Sequence, residues 1–284
     1  MVITNTRTCG LLAGSTGGRL LCWEYRRPGA GDGTTVFALL PTPPLPAGQR
    51  WAAVATSIPY ACGLTGAGGL RCWSWDASAY PAPTLPRPPP GDAWAALTGG
   101  DHKVCGLLSS GGLRCFGSNL AGAASGPALP KGRRWAAVAA GRGLDWGIDS
   151  AGALHGWGAS GGGAPPAPRL PKGATWGAVS TAVTLYNGSS SRACGISSDG
   201  ATLLCWASPG SAPDGVPPLP SGPTWAAVAA AANHTCALTT AATLVCVGTF
   251  VLLPDPGADG DARGYTYHWT GFPLEREPRW RLPT

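Results

Sequence analysis

Residues 51–73 read WAAVATSIPYACGLTGAGGLRCW, and the fold follows from them. Three short apolar runs, Trp51-Ala52-Ala53-Val54, Cys62-Gly63-Leu64 and Leu70-Arg71-Cys72-Trp73, are separated by turn residues. Folding the second run onto the third about Ala67 sets Leu64 opposite Leu70 and Cys62 opposite Cys72. Directly opposed residues on one face of an antiparallel pair have Cβ atoms about 4.5–5.5 Å apart. A disulfide needs only a small local adjustment from there.

The same unit returns along the chain. Tryptophan strands begin at Trp51, Trp94, Trp135, Trp176 and Trp225. Cysteine pairs follow as Cys9/Cys22, Cys62/Cys72, Cys105/Cys115, Cys194/Cys205 and Cys236/Cys246, which uses every cysteine. The fourth unit lacks both members at once, with Trp146 and Gly156 in their places, as pairing within a unit requires. Self-similarity at about 40–50 residues marks a propeller or solenoid of small sheets. The expected fold is all-β, a single β-propeller of six blades, with seven as the alternative. Its units run 1–50, 51–93, 94–134, 135–175, 176–224 and 225–284, and five of the six carry an intrablade disulfide.

Alternation of Trp51, Ala53 and Ala55 against Ala52 and Val54 reads as a strand packed on both faces. Proline-rich elements such as Pro44-Leu45-Pro46 and Leu129-Pro130 read as edges or connections, because proline cannot donate to a ladder. Residues 24–40, 180–191 and 249–279 break the period and read as loops, which in repeat proteins often form the binding face. The first unit has no tryptophan strand. Trp280 either supplies it from the other end, closing a ring, or opens a further unit of a longer chain.

The 284 residues carry a net charge of +6, and only 12% are charged. No dense run of lysine and arginine offers a nucleic-acid footprint, and Arg26-Arg27 and Arg133-Arg134 read as solvated loop charges. No apolar stretch is long enough to insert in a membrane as a helix. Paired cysteines point to an oxidising compartment, and the sequons at Asn187 and Asn233 fit an extracellular or secreted glycoprotein. Met1-Val2-Ile3-Thr4 does not read as a secretory leader, so the sequence reads as mature, excised or incomplete at its start.

Trp94 through Asn119, with Gly99, His102, Cys105, Gly111, Leu113, Cys115 and Gly117 in place, resembles the regulator-of-chromosome-condensation repeat. Trp225 through Cys246 is a second clear copy. The cysteine-paired version is similar to the ectodomain repeats of Crinkly-type receptor kinases and to secreted bacterial and algal relatives. The resemblance implies a β-propeller, usually of seven blades. It does not imply one function, because the family includes an exchange factor, an enzyme inhibitor, receptor ectodomains and a photoreceptor.

Few residues suggest chemistry. His102 and His234 read as one repeat position with a corner role, and His155 as a strand residue. The acidic group Asp255, Asp259 and Asp261 lacks the terminal glutamate of a calcium loop. No metal-ligand pattern, nucleophile elbow or phosphate loop is present, and the reading is of no enzyme, no cofactor and no metal. The candidate contact residues are Tyr265, Tyr267, His268, Trp269 and Phe272, with Trp75 and Tyr80 as a second group, since aromatics concentrate at binding hot spots. The expected function is non-catalytic recognition of a protein or glycan through propeller-face loops, with no nucleic-acid partner. A secreted inhibitor, a lectin-like effector and an intracellular exchange-type scaffold are the alternatives.

Overall fold

The computed structural model describes residues 2–3, 7–12, 19–26, 36–57, 60–75, 88–100, 102–117, 126–141, 144–158, 167–182, 192–207, 219, 221–230, 234–250 and 265–273. They form six antiparallel sheets in chain order. The second sheet shows the pattern. Strand β5 (Trp51–Thr56) pairs with β6 (Tyr60–Thr65), and β6 with β7 (Leu70–Ser74). The third to fifth sheets repeat it, with tryptophan strands β8 (Trp94–Gly99), β11 (Trp135–Ala139) and β14 (Trp176–Thr181). Their central strands are β9 (Lys103–Leu108), β12 (Leu144–Asp149) and β15 (Arg192–Ser197). Their return strands are β10 (Leu113–Gly117), β13 (Leu154–Gly158) and β16 (Leu203–Ala207). The first sheet comprises β1 (Val2–Ile3), β2 (Arg7–Leu12), β3 (Arg19–Arg26) and β4 (Val36–Leu40). The sixth comprises β17 (Trp225–Ala230), β18 (His234–Thr239), β19 (Thr243–Phe250) and β20 (Tyr265–Pro273).

The tryptophan strand does not alternate simply. Trp51 pairs with Thr65 and Ala53 with Leu64, so Ala52 is the extra residue of a β-bulge, and all five tryptophan strands share this irregularity. A bulge shifts the pleat by one residue. Trp51 therefore shares its packing face with Val54 rather than with Ala53, which corrects the alternation expected from sequence.

The glycine of Cys-Gly-Leu has a steric cause. A Cβ on Gly63, Gly106, Gly147 or Gly195 would run into the ring of the same blade's tryptophan; at Gly195 it would stand 2.6 Å from Trp176 Cζ3. The indole thus occupies the space of the missing side chain. The return-strand aromatic joins it, with Trp51 and Trp73 centroids 5.7 Å apart and Trp135 and Trp157 centroids 5.2 Å apart.

The opposite face of each sheet carries the cysteine pair. All five bridges form as the register requires, with Cα atoms 4.0 or 4.1 Å apart and no free cysteine. These two faces make the core. Cys9, Leu20 and Cys22 of the first blade pack on Trp51 and Val54 of the second. Leu64 packs on Trp94, Leu107 on Trp135, and Ile196 on Trp225. At the fourth blade Trp146 replaces the bridge, directly opposite Gly156, and meets Trp206 of the fifth edge-on at 5.1 Å. Each blade therefore offers a bridge face to the tryptophan face of the next. Burying one tryptophan removes about 150–250 Å² from water, worth roughly 4–6 kcal/mol at about 25 cal/mol/Å². Each bridge closes a short loop, contributing about 3 kcal/mol through the unfolded chain.

The first sheet has no inner tryptophan strand; in its place stands the stub β1, with Val2 opposite Cys9 where Ala55 stands opposite Cys62. On the sixth sheet Leu244 is 39% exposed, whereas its counterpart Leu20 is buried. Trp280 lies outside the described residues.

At the end of the blades remote from the hairpin turns, polar contacts join successive sheets. The Tyr60 hydroxyl donates to the His102 carbonyl at 3.0 Å, and Lys103 Nζ to Asp145 Oδ2 at 2.7 Å. Burial pushes the Tyr60 hydroxyl up to about 12. Burial also raises Asp145, against the pull of Lys103. A buried pair of this kind roughly breaks even against apolar packing, so it is secondary to the tryptophan junctions.

Replacing Trp146 and Gly156 together by cysteine tests the register. A sixth bridge is expected, seen as protection of both thiols from alkylation, with thermal stability no higher than the parent's because the Trp146 packing, worth about 3–5 kcal/mol, is lost. Two freely alkylated thiols in the folded variant would contradict the register.

Candidate functional site

The aromatic segment expected in a loop belongs to a strand. β20 runs antiparallel to β19, with Tyr265 opposite Phe250, Tyr267 opposite Gly248, His268 opposite Val247, Trp269 opposite Cys246 and Phe272 opposite Leu244. Residues 249–279 are therefore not wholly an insertion. They include the last residues of β19 and a fourth strand at the outer edge of the sixth blade, as β4 is of the first. The sequence concealed this because Gly264 and the acidic, glycine-rich run before it read as continuous loop. β-branched and aromatic residues alternating through Tyr265-Thr266-Tyr267-His268-Trp269 were the available strand signal.

Trp75 has a structural place. Its ring meets Trp73 edge-on at 6.1 Å, its Nε1 donates to the Pro41 carbonyl at 3.2 Å, and it packs into the junction of the first and second blades. Tyr80, Asn187, Asn233, Asp255, Asp259 and Asp261 lie outside the described residues.

The histidines separate. His102 is a corner with φ of 55°, as expected. His234 is not its equivalent: it opens β18 two residues before Cys236 and pairs with Gly248, as Lys103 pairs with Gly117. One residue of difference in spacing moves it from corner to strand. His155 lies on β13, its Nε2 3.0 Å from Asp149 Oδ2 and its ring edge-on to Trp135 at 5.5 Å.

The opposite end of the blades holds the hairpin turns and the Pro-x-Gly turns that precede each tryptophan. Gln49 N donates to the Pro46 carbonyl, and Arg133 N to that of Pro130. Gly48, Gly91, Gly132 and Gly173 sit at φ of 79–86°, the left-handed turn position. The two sets of turns are stitched together, with Gly66 N donating to the Arg50 carbonyl and Ser150 N to that of Arg134. Arg50, Lys131, Arg133, Arg134 and Lys172 stand exposed in the turns before the tryptophans. Exposed Arg71 and Arg114 near the starts of the return strands, with exposed Arg169, add to the same rim.

The described carboxylates of this rim are Asp92, Asp149 and Asp199, and each is engaged. Hydrogen bonds from the Ser109 and Ser110 hydroxyls hold Asp92 down at about 2. Asp149 is buried, which alone would raise it. The bond from His155, two backbone N–H groups and Arg133 outweigh that and bring it to about 2. Asp199 is lowered by the Ser197 hydroxyl and the Ala201 N–H. Reading the sequence for runs of basic residues missed this rim. Distance from the repeat tryptophan was the usable signal: Lys131 and Lys172 both stand four residues before one, and Arg50 and Arg134 one residue before.

With this geometry in hand, comparison with known proteins places the fold. No family model and no curated protein matches the chain. Among solved structures it is similar to the ectodomain of the receptor kinase CR4 from Physcomitrella patens, with a TM-score of 0.56 and 22% identity over 88% of this chain and 62% of that one. The chain thus spans less than two thirds of that ectodomain. The CRINKLY WD40 ectodomain of the Arabidopsis thaliana receptor kinase ACR4 gives 0.56 and 22% over 86% and 77%. Yeast RCC1 (Prp20), in a structure with Kap60 bound, gives 0.61 and 16% over 87% and 69%. The fold is accordingly a β-propeller of the regulator-of-chromosome-condensation type.

Asp149 makes the rim testable by pH. Its folded pKa is depressed, so its stabilisation is complete above the ordinary carboxylate range and is lost as pH falls from about 4 through about 2. Asp149→Asn is expected to cost about 1–2 kcal/mol near neutral pH, with the gap to the parent closing below about pH 3 in denaturant titrations. A gap that stays constant with pH would contradict this role.

Proposed function

We propose that this propeller is a non-catalytic recognition module that works outside the reducing cytoplasm and binds a protein or glycan partner through its loops and outer strands. The observation that carries the reading is the set of five bridges buried in the blade junctions. Disulfides persist in oxidising compartments and are rare where glutathione keeps thiols reduced. Sheets held at both faces by covalent and tryptophan packing provide a rigid scaffold, the usual setting for binding loops. The similarity to two receptor-kinase ectodomains supports the same reading.

The aromatic outer strand β20 is the contact surface this reading favours, through Tyr265, Tyr267, His268, Trp269 and Phe272, with Trp75 and Tyr80 as a subsidiary group. β20 is an edge strand, with no neighbour beyond it in its own sheet. It can present aromatic side chains and unpaired backbone groups together. The likeness to yeast RCC1 favours the second reading, an intracellular scaffold or exchange-type role.

Screening the secreted, disulfide-bonded chain against extracellular proteins and a glycan array tests the proposal. At least one ligand is expected whose affinity falls about tenfold or more in a Tyr267→Ser/Trp269→Ser variant with unchanged thermal stability, the size expected of an aromatic hot spot. Full binding by that variant would remove β20 from the account. Stimulated nucleotide release from a small GTPase, with no extracellular ligand, would favour the second reading.

A further inference from the structure

The turn rim of the second to fifth blades carries an excess of positive charge that its described carboxylates do not balance. Its eight cations, the arginines and lysines placed there above, are all exposed. Lys103 and Arg192, the buried cations among the described residues, lie at the other end of the blades. Against the eight stand Asp92, Asp149 and Asp199. Asp92 and Asp199 are held by serine hydroxyls, and Asp149 is shared between Arg133 and His155. Lys131, Arg134, Arg169 and Lys172 have no carboxylate partner among the described residues. One of these cations bridges two blades. The Arg134 stem crosses onto the third blade's turn, where a Cβ on Gly111 would stand 2.5 Å from Arg134 Cβ and 3.0 Å from its Cγ and Cδ.

From this arrangement we infer that the turn rim binds a linear polyanionic glycan, sulfated or rich in uronic acid, laid across the fourth and fifth blades and extending towards the third. A compact anion would need several cations converging on one point. Here they are dispersed along successive turns on exposed stems, which suits a ligand whose negative charge repeats along its length. Arginine and lysine are both present, giving planar forks for sulfate or carboxylate beside adaptable point charges. The inference rests on the extracellular reading above, since such glycans are met outside the cell, and it gives that reading a ligand class and a second surface distinct from β20.

The test uses the full-length, disulfide-bonded chain on immobilised heparin and on a sulfonate cation exchanger of matched charge density. Retention on heparin above about 0.15 M salt is expected, with elution at clearly higher salt than from the sulfonate resin. Lys131→Glu/Arg134→Glu/Lys172→Glu, all in exposed turns, is expected to weaken heparin binding at least about tenfold while the bridges and melting temperature stay unchanged. Equal elution from the two resins would reduce the effect to net charge and overturn the site, as would a triple variant that binds like the parent. Competition by polyglutamate or duplex DNA that matches or exceeds heparin's would assign the rim to an acidic protein or a nucleic acid instead, and also overturn the proposal. If the bridges are intact in the native protein and heparin is not retained, this inference alone fails. If the native cysteines are free, the extracellular reading fails with it.

Discussion

In each blade with a tryptophan strand the ring packs against the central strand where the residue beneath it is glycine or, at Ala237 of the sixth blade, alanine. In four successive blades the ring lies over the mid-strand glycine (Gly63, Gly106, Gly147 and Gly195), in the space its Cβ would take. The bulge after the tryptophan, shared by all five tryptophan strands, brings the residue three positions on to the same face. The opposite face is left for the cysteine pair. The blade then has two unlike surfaces, and stacking one against the other builds the whole core from a single kind of junction.

The fourth blade shows that the bridge is dispensable. It has lost its bridge, and Trp146 fills the space against Trp206. The indole N–H of Trp146 is buried with no hydrogen-bond partner, as are those of the return-strand tryptophans Trp73, Trp157 and Trp206. An unsatisfied buried donor costs about 1–3 kcal/mol, comparable with what a bridge contributes. The tryptophan junction persists there, with Trp135 over Gly147, and in the sixth blade, where Ala237 stands in place of the glycine, so the tryptophan packing is common to blades that lack the bridge and blades that lack the glycine.

Much of this was legible in the sequence because it is local. The hairpin register of Cys62 with Cys72 depends only on the turn between them, and it held in every blade, including Trp146 opposite Gly156. The bulge was not legible, because Trp51-Ala52-Ala53-Val54 looks the same with or without an extra residue; only the partner strand reveals it. His234 was misplaced by one residue of spacing, which in a strand decides whether a residue is a corner or a rung. β20 was hidden by the long acidic, glycine-rich run before it. The basic rim escaped notice for a different reason. Its cations are scattered in sequence and gathered only by the repeat, so no window along the chain contains them together.

The proposed recognition role rests on a scaffold pinned by five bridges, with an aromatic outer strand at one blade and a basic rim along four others, and the oxidised state of its cysteines underlies that account. The most direct test is a thiol count on protein purified from its native source, alkylated with and without reduction and mapped by peptide mass spectrometry. The account predicts no free thiol, with Cys9 joined to Cys22, Cys62 to Cys72, Cys105 to Cys115, Cys194 to Cys205 and Cys236 to Cys246. Ten free thiols in folded native protein would contradict it and move the search for partners inside the cell.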